Sequence, residues 1–303
     1  MQINQLKELF KKFESKITYN ENLKNKNWFN IGGKAKVFFK ANELKDLVDF
    51  LKTLNNKEKI SVIGAGSNTL ITDDIYDGVM IKLGKNFNRL SLLNEEIIIS
   101  GTAVLDKKLS DYAADNNLSG FEFLSCIPGT IGGGIKMNAG CFGQEIKDIL
   151  VSIQAIDKSG NVLTIPAKKI KFDYRNNDLS DNLIFLSASF KGKKKNINMI
   201  KEEMMKLKSK KDHNQPTKIK TSGSTFKNPK KQTTKKAWEL IKESVPLNTS
   251  FGDACISEKH SNFFVNKGNA TFSDMKKLID FVSESVFKKT GISIEKEIKI
   301  IEN

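Results

Sequence analysis

Two glycine-rich segments contain the residues whose types and spacing could do chemistry. The first is Gly64-Ala65-Gly66-Ser67-Asn68, which follows the apolar run ISVIG. The second is Pro128-Gly129-Thr130-Ile131-Gly132-Gly133-Gly134, with Asn138-Ala139-Gly140 shortly after it. Glycine lets the backbone approach a ligand closely, and exposed amides with a serine hydroxyl can hold an anion. The first segment therefore indicates a phosphate contact, and the second indicates a pyrophosphate or a flat ring system.

Neither segment matches a nucleotide-binding fingerprint. The spacing of G-x-G-x-x-G is missing, and so is the lysine of a P-loop. A tight strand-to-loop turn remains an alternative for the first segment, and a flexible loop remains one for the second. The flexible loop is disfavoured because apolar and aromatic residues flank the glycines, namely Phe121, Phe123, Leu124 and Ile127.

Arginine is scarce in a strongly basic chain. The formal net charge is +15, yet only Arg89 and Arg175 are arginines. Base readout in nucleic acids depends on arginine forks, so we interpret the charge as a lysine bias spread along the chain and expect no nucleic-acid partner. A lone arginine is expected where a planar fork is needed, which favours Arg175 and, less strongly, Arg89. A surface arginine on a loop is the alternative.

Composition excludes several classes of protein. Hydrophobic residues make up 39% of the 303, which excludes a disordered chain. No apolar run is long enough for a transmembrane helix, and residues 1–15 lack the pattern of a secretory signal. The three cysteines lack CxxC spacing and only two histidines accompany them, so we expect no metal site and a reducing, cytoplasmic compartment.

The elements that must position these residues alternate irregularly. Residues 3–14 predict an amphipathic docking helix with Leu6, Leu9, Phe10 and Phe13 on one face, with membrane-surface binding as the alternative. We expect a helix that begins at Asn42 and is capped by Asn42 or its neighbours, a helix over 105–117, a loop-rich stretch over 120–143 and a last strand around IEKEIKII. Strands and helices without strict alternation predict an α+β fold.

The motifs together resemble a known family. Ser119 to Gly133 (SGFEFLSCIPGTIGG), with Met137-Asn138-Ala139-Gly140, is similar to the flavin-binding domain of the UDP-N-acetylenolpyruvoylglucosamine reductase family, also called UDP-N-acetylmuramate dehydrogenase, in its compact type II form. The resemblance implies a two-subdomain α+β FAD-binding domain of the PCMH/VAO type over residues 1–200. It also implies a smaller α+β substrate-binding domain over residues 201–303.

The resemblance also implies the cofactors. FAD is expected to be bound non-covalently, since both histidines lie in the C-terminal region, and NADPH is expected as co-substrate. The residues implied to bind FAD are Gly64, Ala65, Gly66, Ser67, Asn68, Ser125, Pro128, Gly129, Thr130, Gly132, Gly133, Asn138 and Ala139.

Three catalytic residues follow from further motifs. Gly223-Ser224-Thr225-Phe226-Lys227-Asn228-Pro229 resembles the family's GSxFKNP motif, which implies that Ser224 donates a proton and that Lys227 and Asn228 bind substrate; a simple turn closed by Pro229 is the alternative. Tyr174-Arg175 resembles the YR element, in which the arginine neutralises the enolpyruvyl carboxylate and the tyrosine lines the substrate site.

The third catalytic residue is Glu297. Residues 295–299 (EKEIK) resemble the family's E-x-E-V-R strand, and an exposed strand of alternating charge is the alternative. Ile298 and Lys299 stand where the pattern has Val-Arg, so a role for that arginine does not carry over. The segment SEKHSNF, with His260, resembles part of the substrate domain, and we expect His260 to support its architecture.

The resemblance implies one overall reaction. It is the FAD-dependent reduction of UDP-N-acetylglucosamine enolpyruvate by NADPH to UDP-N-acetylmuramate, for peptidoglycan synthesis and so for cell shape and division. We expect a monomer without membrane insertion. An oxidase or dehydrogenase of the same flavin superfamily and a salt-sensitive nucleic-acid binder are the alternatives.

Overall fold

The computed structural model describes residues 3–55, 58–216 and 219–303. The α-helices are α1 Ile3–Leu9, α2 Leu44–Leu54, α3 Asp106–Asp115, α4 Ile131–Lys136, α5 Ile197–Asn214, α6 Ala237–Ser244 and α7 Phe272–Thr290. The strands are β1 Ile17–Asn22, β2 Lys34–Ala41, β3 Ile60–Val62, β4 Thr69–Ile71, β5 Ile75–Leu83, β6 Leu90–Leu93, β7 Ile97–Gly101, β8 Leu118–Ser119, β9 Gly140–Cys141, β10 Gln144–Glu145, β11 Leu150–Ile156, β12 Val162–Pro166, β13 Phe172–Asp173, β14 Asn176–Asn177, β15 Ile184–Lys191, β16 Lys193–Lys194, β17 Ser250–Phe251, β18 Ala254–Ile256, β19 Phe264–Asn266 and β20 Lys299–Ile301.

The chain forms two compact units. Unit 1 comprises Met1–Glu21, Lys36–Ala65 and Asp77–Lys211, and unit 2 comprises Asn22–Ala35, Gly66–Tyr76 and Asp212–Asn303. The sequence-based boundary at residue 200 stays a prediction. In the described parts of both units, no helix combines the length and the apolar character needed to cross a bilayer.

One core of unit 1 is built from aromatic side chains. The helix α2 buries Leu47, Phe50, Leu51 and Leu54, the spacing of a helix with one apolar face. The ring of Phe50 stacks on Phe39 with centroids 3.9 Å apart. The N-terminal segment adds Phe10 and Phe13, at 5.0 and 5.3 Å from the Phe50 ring. This segment therefore docks onto the core, as the sequence predicted.

The second core of unit 1 lies against an antiparallel sheet of order β12-β11-β15-β7-β6. Helix α3 contributes Leu109 and Ala113 to it, and the short helix α4 contributes Ile131 and Ile135. Because both helices pack on this core, the glycine segment of α4 is fixed by apolar burial on its inner face.

Unit 2 packs α6 and α7 around the antiparallel strands β17-β18-β19, and β20 pairs in parallel with β4. Helix α7 begins with a capping box between Thr271 and Asp274 and ends at Gly291 in the left-handed conformation. The mixed content of strands and helices confirms the α+β class.

Four local predictions differ from the structure in detail. The loop-rich residues 120–143 also contain a 3₁₀ helix at Glu122–Cys126 and the helix α4. Glu43, the neighbour of Asn42, takes the N-cap position of α2, and the Asn42 Oδ1 accepts the Lys85 amide at 3.2 Å. Leu9 is 40% exposed because the regular helix ends there and a 3₁₀ turn redirects the chain. The last strand is only Lys299–Ile301 and excludes Glu297.

Candidate functional site

The two glycine-rich segments meet within unit 1. A Cβ on Gly64 would collide with Oγ1 of Thr130, so only glycine allows this approach. The segment that follows is anchored by its backbone, because the amides of Ile131 and Gly132 donate to the carbonyls of Val104 and Thr102, both at 2.9 Å. Residues 64–65, which begin the first glycine-rich segment, therefore lie beside the start of α4.

The three consecutive glycines have different surroundings. A Cβ on Gly132 would lie 3.2 Å from the Thr102 Cβ, and one on Gly134 would lie 2.6 Å from the Ile146 Cδ1. Gly133 is exposed, and its Cβ would meet nothing closer than Oγ1 of Thr130 at 3.7 Å. Gly132 and Gly134 thus serve internal packing, whereas the bare backbone at Gly133 is open to a ligand, which suits a cofactor diphosphate.

Asn138 and Arg175 brace the chain that leaves α4. The Asn138 side chain is fully buried; it donates to Oε2 of Glu145 at 3.0 Å and to the Asp173 carbonyl at 3.1 Å. Arg175 donates to the carbonyls of Gly140 at 2.6 Å and Asn138 at 3.4 Å. The guanidinium therefore uses its planar fork, as the scarcity of arginine indicated.

The second arginine lies outside this arrangement. Arg89 is exposed and donates to Oδ1 of Asn86 at 2.6 Å.

Ser125 is one of the residues predicted to bind the cofactor. Its hydroxyl donates to the Glu122 carbonyl at 2.6 Å and closes the 3₁₀ turn.

Two cysteines lie close together beside this segment. A hydrogen bond with Cys126, followed by burial, raises the pKa of the Cys141 thiol. Cys141 also donates to the Phe123 carbonyl at 3.2 Å, and Lys211 donates to the Cys126 carbonyl at 2.7 Å. The raised pKa favours the neutral thiol of Cys141, which does not favour nucleophilic chemistry there.

Sequence reasoning missed one residue, Asp106. Its carboxyl group is fully buried at the start of α3, and neither oxygen has a hydrogen-bond partner in the part of the chain that the structure describes. Burial raises the pKa of Asp106 to about 8. An acidic residue in the first turn of a helix is ordinary, so the sequence offered no signal for it.

In unit 2, the segment with Ser224 is clamped by Asn262. The Asn262 side chain accepts the Phe226 amide at 2.9 Å and donates to the Phe226 carbonyl at 2.8 Å. The Asn262 carbonyl accepts the Thr225 amide at 2.8 Å. Ser224 itself bridges to Phe263 and is half-buried, so its hydroxyl is carried by a fixed backbone.

Glu297 adjoins the same segment. Its amide donates to the Thr225 carbonyl at 2.8 Å, and its own carbonyl accepts from Nδ2 of Asn68 at 3.1 Å. Unit 2 thus brings together the segment of Ser224, the backbone of Glu297 and the end of the first glycine-rich segment.

Three further residues singled out by the sequence, Lys227, Asn228 and His260, also belong to unit 2. Lys227 pairs with Glu295 at 3.3 Å, and Oδ1 of Asn228 accepts the Ala237 amide at the start of α6 at 2.9 Å. The ring centroids of His260 and Phe263 are 4.7 Å apart, and burial lowers the pKa of His260; its supporting role in the substrate domain stays a prediction. In the described residues, no group of three or more His, Cys, Asp or Glu side chains could hold a metal ion.

Comparison with known proteins identifies the class. The profile of an FAD-binding domain matches residues 35–166, and the profile of the C-terminal domain of UDP-N-acetylenolpyruvoylglucosamine reductase matches residues 215–301. The chain is therefore an FAD-dependent oxidoreductase.

The relatives fix the family. The chain is 64% identical over 301 residues to the UDP-N-acetylenolpyruvoylglucosamine reductase of Pelagibacter ubique, covering 99% of this chain and 100% of that one. It is 45% identical over 280 residues to that of Rickettsia typhi, covering 92% and 94%. The crystal structure of the Thermus caldophilus enzyme matches with a TM-score of 0.81 at 28% identity, covering 94% of this chain and 98% of that one. The chain belongs to the UDP-N-acetylenolpyruvoylglucosamine reductase family, as its motifs predicted.

Proposed function

We propose that this protein reduces UDP-N-acetylglucosamine enolpyruvate to UDP-N-acetylmuramate with NADPH as the reductant and Ser224 as the proton donor. Reduction of an enol ether needs a hydride for one carbon, a proton for the other and stabilisation of the anionic species between them. FAD supplies the hydride when it is bound. The chain itself must supply the proton and the stabilisation.

The glycine segments support the proposed cofactor site. The exposed backbone at Gly133 and the close packing of Gly64 on Thr130 leave bare backbone of the kind that can approach a diphosphate. We propose that FAD binds without a covalent bond to residues 64–68, Ser125, 128–130, Gly132, Gly133, Asn138 and Ala139. Because the Asn138 side chain already donates to Glu145 and Asp173, we propose that it contributes by fixing the conformation of the second glycine-rich segment.

Fixed geometry supports the role of Ser224. A serine hydroxyl is a weak acid, but a carbanion is a strong base, so the transfer is feasible where the hydroxyl is held in place. The Asn262 clamp at 2.8 and 2.9 Å on the neighbouring Phe226 provides that rigidity. The backbone bond from Glu297 to Thr225 supports Glu297 as the second catalytic group of this segment.

We propose that Arg175 neutralises the carboxylate of the substrate and the enolate charge that develops during reduction. Its planar fork already spans two carbonyls, and its side chain is only 16% exposed, where a charge is weakly screened. Tyr174 lies beside it, with the guanidinium carbon 5.0 Å from the ring centroid, and we propose Tyr174, Lys227 and Asn228 each as substrate-binding residues.

Resemblance to the family supports the remaining parts of the proposal. They are a cytoplasmic monomer that serves cell-wall synthesis and cell division, an FAD-binding domain over residues 1–200 and a substrate domain over residues 201–303. Sedimentation of the purified chain tests the monomer.

The test of the proton donor separates the two half-reactions. The variant Ser224→Ala should be yellow and should let NADPH bleach the flavin at the wild-type rate. Its reoxidation by the enolpyruvyl sugar should slow by about 10² to 10⁴, the usual contribution of a general acid. The control is Ser222→Ala, which loses only a hydroxyl that donates to the Thr69 carbonyl at 3.2 Å.

Two results would count against the proposal. Normal reoxidation of Ser224→Ala would remove the proton-donor assignment. Wild-type reduced flavin that ignores the enolpyruvyl sugar and reacts with oxygen would favour an oxidase of the same flavin superfamily, and a preference for NADH would remove only the choice of reductant.

A further inference from the structure

Asp106, Ser110 and Glu122 are the described residues of unit 1 that have a buried, unpaired side-chain oxygen, and of these only Asp106 has two. Its carboxyl group has no exposed surface, and both oxygens lack a hydrogen-bond partner among the described residues. Buried polar atoms are nearly always paired, and an unpaired carboxylate is among the costliest groups to bury. The proposed reduction gives the Asp106 carboxyl group no role that would explain its burial.

The carboxyl group fills the space that two glycines leave. Its Oδ2 is 2.5 Å from the position of a Cβ on Gly129, and its Oδ1 is 3.1 Å from that of a Cβ on Gly134. The Asp106 amide also donates to the Gly129 carbonyl at 3.1 Å. Asp106 therefore lies between the 128–130 loop and α4, beside Gly134, which follows the exposed Gly133 in the chain.

Among residues 3–55, 58–216 and 219–303, no charge compensates this carboxyl group. The 128–130 loop has no titratable side chain, and the segment after β10 presents the apolar Ile146. The lysine of α4, Lys136, bonds the Leu179 carbonyl at 2.9 Å and Asp181 at 2.7 Å. On α3 itself, Lys107 and Lys108 are exposed. Burial alone raises the pKa of Asp106 to about 8, so the group is neutral near pH 7.

We propose that Asp106 is a positioning residue for FAD: as an uncharged carboxylic acid it spaces the 128–130 loop from α4, and its ionisation releases the cofactor. A diphosphate is anionic, and a second negative charge beside the same segment repels it across a poorly screened interior. The proposal rests on FAD binding by these segments and not on the roles of Ser224, Arg175 or Glu297.

The linkage has a definite sign. The pKa of Asp106 in the native protein lies above the ordinary value of 3.8, so the native state keeps a proton that the unfolded state loses. Stability therefore falls as pH rises from 3.8 towards about 8 and levels off beyond it. If only the neutral form binds FAD, the dissociation constant rises tenfold for each pH unit above that point, or about 30-fold at about pH 9.5.

The experiment measures FAD release from the full-length holoenzyme. The protein is diluted in buffers from about pH 6 to about pH 9.5, and free flavin is followed by its fluorescence. For the wild type, we expect a dissociation constant that is flat to about pH 8 and then rises. Asp106→Asn, a neutral isostere, should match the wild type near pH 7 and stay flat. Asp111→Asn, on the exposed side of α3, should follow the wild type.

Three outcomes would overturn the proposal. One is a wild-type profile that stays flat to about pH 9.5 while circular dichroism reports folded protein, a result that needs no variant. Another is an Asp106→Asn profile that rises like the wild type. The last is Asp106→Ala with wild-type affinity near pH 7, because the spacer would then be dispensable.

Discussion

The clamp on the Ser224 segment leads to a prediction about Asn262→Ala. The substitution removes two side-chain hydrogen bonds, of 2.9 Å from the Phe226 amide and 2.8 Å to the Phe226 carbonyl. Both Phe226 groups remain buried, since Phe226 is 1% exposed. Each unpaired buried group costs about 1–3 kcal/mol, so we expect the free energy of unfolding to fall by about 2–6 kcal/mol.

Urea unfolding of the full chain, followed by circular dichroism, measures this change. The control is Asn269→Ala, whose side chain is exposed and which should change stability by less than about 0.5 kcal/mol. Because the backbone bond from Thr225 to the Asn262 carbonyl persists, the segment should loosen without detaching.

The same variant has a kinetic signature. Loosening of the segment should lower the rate of flavin reoxidation by substrate and leave flavin reduction by NADPH unchanged, because the role proposed for the Ser224 hydroxyl belongs only to reoxidation. A loss of stability below about 1 kcal/mol would refute the energetic reasoning. Equal effects on both half-reactions would refute the positioning of Ser224.

Two further predictions concern unit 1. Gly134→Ala should destabilise the protein by about 1–3 kcal/mol, because its Cβ would press on Ile146, whereas Gly133→Ala should keep thermal stability and weaken FAD binding measured by fluorescence. Arg175→Lys should lower kcat/KM for the enolpyruvyl sugar by at least about tenfold, since one ammonium cannot span two carbonyls, and steady-state assays with Arg89→Lys as control test this.

Either prediction has a contrary result. Equal losses of FAD affinity in both glycine variants, without loss of stability in Gly134→Ala, would contradict the assignment of packing to Gly134 and of FAD binding to Gly133. Equal kcat/KM values for the two arginine variants would mean that the scarcity of arginine carried no functional information.

The sequence predicted more of the fold than of its local turns. The sequence located α2 and α3 to within a few residues, because burial of one face leaves a periodic pattern of apolar residues. The three glycines did not predict α4, because glycine disfavours helices in isolation and only packing against Thr102 and Ile146 outweighs that preference. Of Asn42 and its neighbours, Glu43 takes the cap position, and the Asn42 side chain accepts the amide of Lys85, which is distant in sequence.

The candidate site was predicted as a set of motifs but not as a set of contacts. The scarcity of arginine singled out Arg175, and the structure gave it two carbonyl partners. No spacing rule indicated that Asn262 would clamp Phe226, because 36 residues separate them. Asp106 was missed for the same reason, since its surroundings come from Gly129 and Gly134 on later segments.

By itself, the sequence determined the class of protein, the family and the glycine and serine motifs, because residue type and local spacing are written directly along the chain. Tertiary structure alone decided which glycine faces outward and which is packed, which amide holds the serine segment and which carboxyl group is buried. Those properties depend on burial and on partners far away in the chain, and both are set only when the chain folds.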